Sequence, residues 1–141
     1  MEGNALAGAL NPDRIVIGEL DKRSGDVLMA LYSDFDEGIP RLREDIRTAE
    51  MIKYASNSLL ATKISFANEM ANICEKFGID IYEVMEGVGL DYRINPRFLR
   101  AGVGFGGSCF PKDVKAIASA ARSKGLRVPL LDSVLLINDY P

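Results

Sequence analysis

The sequence predicts a mainly helical fold, built on one very long helix and preceded by a small α/β segment. Three observations carry that reading. From about Asp45 to Phe77 neither Gly nor Pro interrupts the chain, and apolar residues return at 49, 52, 55, 59, 60, 64, 67, 70, 71, 74 and 77, close to a period of 3.6. Downstream, Pro111 and Pro129 stand where helices open, and Gly78 and Gly125 where helices close. Strand-like runs are confined to the residues before Asp45.

Taken in order, Asn11-Pro12-Asp13 reads as a turn that enters a short buried strand at Ile15-Val16-Ile17-Gly18. A helix over about 24–33 follows, with Ser24 as cap and Val27, Leu28, Leu31 and Tyr32 on one face. After a loop at 34–38, Ile39-Pro40-Arg41-Leu42 reads as a second short strand, so the opening third resembles the end of an α/β unit whose earlier strands lie elsewhere. The long helix, about 30 residues and so roughly 45 Å, is capped at Gly78. It exceeds what one small core can cover, which predicts that part of its apolar surface packs on a second subunit. Asp80 caps a short helix to about Val88, with Ile81, Val84, Met85 and Val88 on one face. Gly87, Gly89 and Asn95-Pro96 mark turns around an extended segment from Leu90 to Ile94. The glycine-rich run Gly102–Gly107 leads through Ser108-Cys109-Phe110 to Pro111, the first residue of a helix to about Lys124. A last helix begins after Pro129, and the stop at Asp139-Tyr140-Pro141 reads as a cut end.

Composition narrows the chemistry. With 141 residues, 48% hydrophobic and 26% charged, the chain is expected to form one globular domain. A net charge of −3 with interspersed signs leaves no basic stripe for a nucleic-acid backbone. No apolar run approaches the roughly 20 residues of a membrane span, and the N-terminus lacks the order of a signal peptide, so no membrane partner and a cytoplasmic address are expected. The sequence has no histidine, which removes Ser–His triads and histidine metal sites within the chain; no metal is expected. Chemistry here has to run on Cys, Lys, Asp, Glu, Asn and water.

Of the two cysteines, Cys109 is the candidate nucleophile. It stands between a flexible glycine loop and a helix N-terminus, where backbone N–H groups favour a thiolate, and Lys112 and Lys115 add positive charge. Cys74 falls on the apolar face of the long helix and reads as core. Gly102, Gly104 and Gly107 satisfy G-x-G-x-x-G, but no strand leads into them and no acid on a second strand follows, so they are not a dinucleotide fingerprint. Lys53 and Asn57, four apart on the long helix, read either as donors to an oxyanion or water or as a solvated face. Asp113 sits in the first turn after Cys109, where a carboxylate also simply complements the helix dipole.

The run Gly102–Asp113, GVGFGGSCFPKD, closely resembles the active-site signature of the UDP-glucose/GDP-mannose dehydrogenase family. RTAEMIKYASNSLLATKISFANE at 47–69 resembles that family's central helix, EGNALAGALNPDRIVIG the end of its cofactor domain, and DYRINPRFLRAG at 91–102 its substrate loop. The resemblance implies that residues 1–46 end an NAD-binding α/β domain. Residues 47–130 would then form the helical central (dimerisation) domain, and 131–141 begin the connection to a UDP-binding domain. It implies oxidation of UDP-glucose to UDP-glucuronate by two NAD⁺, with Cys109 carrying a thiohemiacetal and then a thioester. Lys53 and Asn57 fall where the family supports the oxyanion and positions water, and Asp113 where it serves hydrolysis or proton transfer. Arg93 matches an arginine that reaches the sugar nucleotide of a neighbouring subunit. Phe98 lies in the substrate loop, Arg100, Gly102, Phe105 and Gly106 match its backbone cradle, and Lys112 lies near the nicotinamide. Of two family glutamates spaced four apart only the second is present, as Glu2. The first glutamate, the glycine fingerprint for NAD and the UDP domain are all missing, so the chain alone is expected to be inactive. A sister activity on GDP-mannose or an N-acetylated UDP-sugar, or a silent helical dimerisation module with an inert Cys109, are the alternatives. The string from Phe105 to Asp113 favours UDP-glucose or GDP-mannose, and Gly102-Val-Gly-Phe leans to UDP-glucose.

Overall fold

The computed structural model describes residues 5–140. They form α1 (Ala5–Leu10), β1 (Ile15–Glu19), α2 (Lys22–Leu31), β2 (Arg41–Asp45), α3 (Ile46–Phe77), α4 (Ile81–Gly89), α5 (Phe110–Ser123) and α6 (Pro129–Asp139). The fold is mainly helical, dominated by the 32-residue α3, with one small parallel sheet. Two compact units divide within α3, one ending at Lys53 and the other starting at Tyr54.

In the first unit β1 and β2 pair in parallel, from Ile15 opposite Arg41 to Glu19 opposite Asp45. A parallel pair needs a crossover, which α2 supplies. Alternation buries Ile15 and Ile17. The start of α2 differs from expectation: Asp21 is the cap, its carboxylate accepting from the Ser24 N–H at 2.8 Å, while Ser24 Oγ accepts from the Asp21 N–H at 3.2 Å. Ser24 is thus the reciprocal member of a capping box, and the helix begins earlier than predicted. The expected apolar face is also turned outward, with Val27, Leu28 and Leu31 exposed. The reason is the close approach at Gly25, where a Cβ would stand 1.6 Å from Glu19 Oε2. Arg43 closes that contact, pairing with Glu19 at 2.7 Å and Asp26 at 2.6 Å and donating to the Lys22 carbonyl at 3.0 Å. β2 starts after Pro40 rather than at Ile39. Pro40 still accepts from the Ile15 N–H at 2.9 Å, but it has no N–H of its own to give to a ladder. The helix α1 was not expected; Gly8 and the Asn-Pro turn masked a run of Ala and Leu, good helix formers.

The second unit follows prediction more closely. α3 ends with Gly78 at φ +67, where the Ile79 N–H reaches the Cys74 carbonyl at 3.0 Å and the Gly78 N–H the Glu75 carbonyl at 3.3 Å, a Schellman closure. Asp80 caps α4 through the Tyr82 N–H at 2.7 Å. The segment after α4 is a run of turns, not extended chain: Ile94 and Asn95 N–H groups return to the Asp91 carbonyl at 2.9 and 3.1 Å. Lys63 Nζ on α3 collects the Ile94 and Asn95 carbonyls at 3.0 and 2.9 Å, so these two carbonyls find a partner without a strand. Two apolar clusters form the core. Ala61, Phe105, Val114 and Val134 join α3, the glycine loop, α5 and α6, and Ala67, Met85 and Leu99 join α3, α4 and the turns beyond it. Cys74 is buried, as predicted.

Candidate active site

The glycine loop ends on Cys109, which is the N-cap of α5; its thiol is exposed and makes no side-chain cap bond. Pro111 stands in the first turn of α5, where its missing N–H costs nothing. Ser108 Oγ lies 3.7 Å from Cys109 Sγ. One turn on, Asp113 is wholly buried. Its carboxylate accepts from Asn57 Nδ2 at 2.7 Å and from Lys112 Nζ at 2.5 Å. Asn57, predicted as a donor to substrate or water, therefore spends one N–H on Asp113, which ties α3 to the first turn of α5. The hydrogen bond to Asp113 raises the Lys112 pKa above the ordinary 10.5, helped by the charges of Asp113, Tyr54 and Cys109. The Lys112 ammonium is thus fixed on the Asp113 carboxylate.

Of the predicted set, hydrogen bonds join Lys112 and Asn57 to Asp113, and Cys109 stands one helical turn before Asp113. Lys53 lies one turn before Asn57 on α3, at the end of the first unit. Glu2 lies outside the described residues. The predicted substrate residues fall along the chain between α4 and α5. Arg93 is exposed and forks onto Asp91, with Nη2 at 2.6 Å, and the hydrogen bonds raise its pKa and lower that of Asp91. Arg100 stacks over Tyr82 with 5.7 Å to the ring centroid. Phe98 takes φ +66, a left-handed conformation unusual for a bulky side chain, and meets Phe110 edge-on at 6.2 Å. Phe105 is buried, also edge-on to Phe110 at 6.2 Å. Gly104 and Gly107 have φ of +94 and +74, which glycine alone adopts freely. A Cβ at Gly106 or Gly107 would meet nothing within 4 Å, so the backbone approach to Cys109 is open. Among the described residues no group of three or more His, Cys, Asp or Glu is placed to hold a metal.

Two residues in the loop's support were missed. Asn68 Oδ1 accepts from the Gly102 N–H at 2.8 Å, and Asn138 pairs with the backbone of Phe105. Both sit on apolar stripes, Asn68 four residues after Ile64 and Asn138 four after Val134. A polar residue on an apolar helical face was the signal that could have found them.

Fold and site together define a helical domain that presents an exposed cysteine at a helix start, on a loop braced by a long helix. The chain belongs to the UDP-glucose/GDP-mannose dehydrogenase family: the model of that family's central domain matches residues 47–140. It is 51% identical over 138 residues to the UDP-glucose 6-dehydrogenase of Rickettsia bellii, covering 97% of this chain and 32% of that protein. The structure of a UDP-glucose dehydrogenase from Pyrobaculum islandicum aligns with a TM-score of 0.96 at 47% identity, covering 99% of this chain and 32% of that one. A GDP-mannose dehydrogenase from Pseudomonas aeruginosa, in a ternary complex, aligns with a TM-score of 0.63 at 39% identity, with the same coverage. The chain thus spans about a third of the length of the relatives it matches.

Proposed function

We propose that this chain is the cysteine-bearing part of an NAD-dependent UDP-glucose 6-dehydrogenase, in which Cys109 holds the substrate covalently between two oxidations. The observation that carries the reading is the exposed Cys109 thiol at the N-terminus of α5, beside the buried Asp113 held by Asn57 and Lys112. Family membership over residues 47–140 supports it. Residues 1–46 close the cofactor domain, 47–130 form the central domain and 131–141 lead toward the UDP domain. The G-x-G-x-x-G run is not the cofactor's main cradle, since no strand leads into it: the nearest preceding strand, β2, ends at Asp45, with α3 and α4 between. What is present fits a nicotinamide beside the thiol: open backbone at Gly106 and Gly107, and Lys112, 63% exposed with a charge available to a polar carboxamide or phosphate.

NAD⁺, when bound, accepts one hydride in each of two oxidations of C6. Cys109 Sγ adds to the C6 aldehyde from the first, forming a C–S bond and a thiohemiacetal. Loss of the second hydride leaves a thioester, and water then cleaves the C–S bond to release carboxylate and thiol. Covalent capture keeps the aldehyde from escaping between the steps. Lys53 and the remaining polar valence of Asn57 stabilise the oxyanion or hold water, and Asp113 takes part in proton transfer or hydrolysis. Glu2 is a lesser candidate for the base. Arg93 reaches the sugar nucleotide of a neighbouring subunit, while Phe98, Arg100, Gly102, Phe105 and Gly106 line the substrate. The protein works in the cytoplasm as a homodimer through α3, where Leu59, Phe66 and Ile73 recur every seven residues and are exposed. UDP-glucose is preferred to GDP-mannose, a reading supported by 47% identity to the Pyrobaculum islandicum UDP-glucose dehydrogenase against 39% to the Pseudomonas aeruginosa GDP-mannose dehydrogenase.

The test is NADH production by the full-length protein with UDP-glucose and saturating NAD⁺. Two NADH per sugar, and loss of turnover in Cys109→Ser, are expected. Activity with GDP-mannose alone would change the substrate and keep the mechanism. Full turnover in Cys109→Ser would remove Cys109 from it.

A further inference from the structure

From Arg100 to Cys109 the chain is neither helix nor strand, so its shape rests on whatever holds its backbone. On the last turn of α6, Asn138 Oδ1 accepts from the Phe105 N–H at 2.6 Å while its Nδ2 donates to the Phe105 carbonyl at 3.1 Å. One carboxamide thus satisfies both polar groups of a single residue in the middle of the loop. Gly104 is fitted to the same group: at φ +94 it carries no side chain, and a Cβ there would lie 2.7 Å from Asn138 Oδ1. Upstream the loop is pinned by Asn68, 3% exposed, through the Gly102 N–H. Downstream, Phe105 packs with Val114 and Val134 and against Phe110, the residue after Cys109. A continuous set of contacts therefore runs from Asn138 through Phe105 to the start of α5.

We propose that Asn138 is a positioning residue for the chemistry at Cys109: its two-point clamp on Phe105 sets the register in which the loop presents the thiol and lines the substrate. This rests on the reading of Cys109 as the nucleophile. Asn138 is only partly buried, and two neutral hydrogen bonds contribute modestly to folding. A loop displaced by about 1 Å, by contrast, costs on the order of 100-fold in rate. The clamp should therefore matter more to rate than to stability.

In the full-length protein, Asn138→Ala is expected to lower kcat/KM for UDP-glucose by about 10- to 100-fold. It should also speed amide exchange at Phe105, with the melting temperature within a few degrees of wild type. Asn138→Asp keeps an acceptor for the Phe105 N–H and loses the donor, and should show a smaller exchange defect with a clear rate defect. It carries the test if the alanine variant fails to fold, as does Gly104→Ala, which pushes the carboxamide off Phe105. Wild-type kcat and KM in the folded variants, beside an inactive Cys109→Ser, would overturn the positioning role alone. Full turnover in Cys109→Ser would overturn the underlying reading. Rate loss that only tracks loss of folded protein would reduce Asn138 to a stability residue and also defeat the proposal.

Discussion

Asp113 shows how much a single residue's surroundings change its meaning. By position it is a first-turn carboxylate, of the kind that complements a helix dipole in water. In the fold it is fully buried and receives an amide from α3 and the Lys112 ammonium. Truncating it leaves the Asn57 amide without this acceptor, whereas Lys112, largely exposed, can solvate its charge. Asp113→Ala is therefore expected to destabilise the protein by about 1–3 kcal/mol, read as a lower urea midpoint at unchanged slope. An unchanged midpoint would mean that water replaces the carboxylate fully. That Cys109, Lys112 and Asp113 share the start of one helix was legible, because all three stand within five residues of each other. That Asn57 joins them was legible only as a possibility: helix periodicity places a side chain on a face, and packing alone decides what meets that face.

Among the elements, α3 was the most legible, since an uninterrupted apolar period fixes a helix without help from distant residues. Its start depends on Asp45, the last residue of β2. That carboxylate accepts from the Arg47 and Thr48 N–H groups at 2.9 and 3.2 Å and from Thr48 Oγ1 at 2.5 Å. The Thr48 hydroxyl and backbone lower its pKa below the ordinary 3.8. A depressed folded value means that the capping contribution is complete above 3.8 and is lost as pH falls through the folded value. Amide exchange at Arg47 and Thr48 should thus accelerate at acid pH, relative to residues in mid-helix. Asp45→Ala should show the acceleration at neutral pH with no further acid dependence; a persisting acid step there would assign the effect to another group. The misread elements are those whose limits other parts of the chain impose. Pro40 delays β2, Gly25 turns α2 over, and Lys63 gathers the Ile94 and Asn95 carbonyls after α4 without a strand.

For the whole molecule, two apolar surfaces on α3 have different fates. Ala61 and Ala67 are buried within the second unit, while Leu59, Phe66 and Ile73 remain exposed. Exposed apolar side chains on one stripe are expected to be covered by a partner helix. Sedimentation of the full-length protein should accordingly give a dimer or a multiple of it, and Phe66→Glu should shift the population to monomer. A wild-type protein that stays monomeric would show that another segment covers the stripe. The 141-residue chain by itself should produce no NADH from UDP-glucose, because the proposed reaction draws its cofactor and UDP sites largely from the rest of the proteins it matches, of whose length it spans about a third. Turnover by the isolated chain would overturn that division of labour.

Neighbouring residues alone specify the long helix, its glycine cap, the Asp80 cap of α4, the helix start at Cys109 and, through GVGFGGSCFPKD, the family. Each is written in neighbouring residues, where backbone propensity, capping and local motifs act over a few positions. Tertiary structure decided which side of α2 faces β1, that the segment after α4 turns back on itself, and that Asn57, Asn68 and Asn138 grip Asp113 and the glycine loop. The three asparagine contacts join residues 33 or more positions apart, and a hydrogen bond over such a distance exists only once packing has brought its partners within reach.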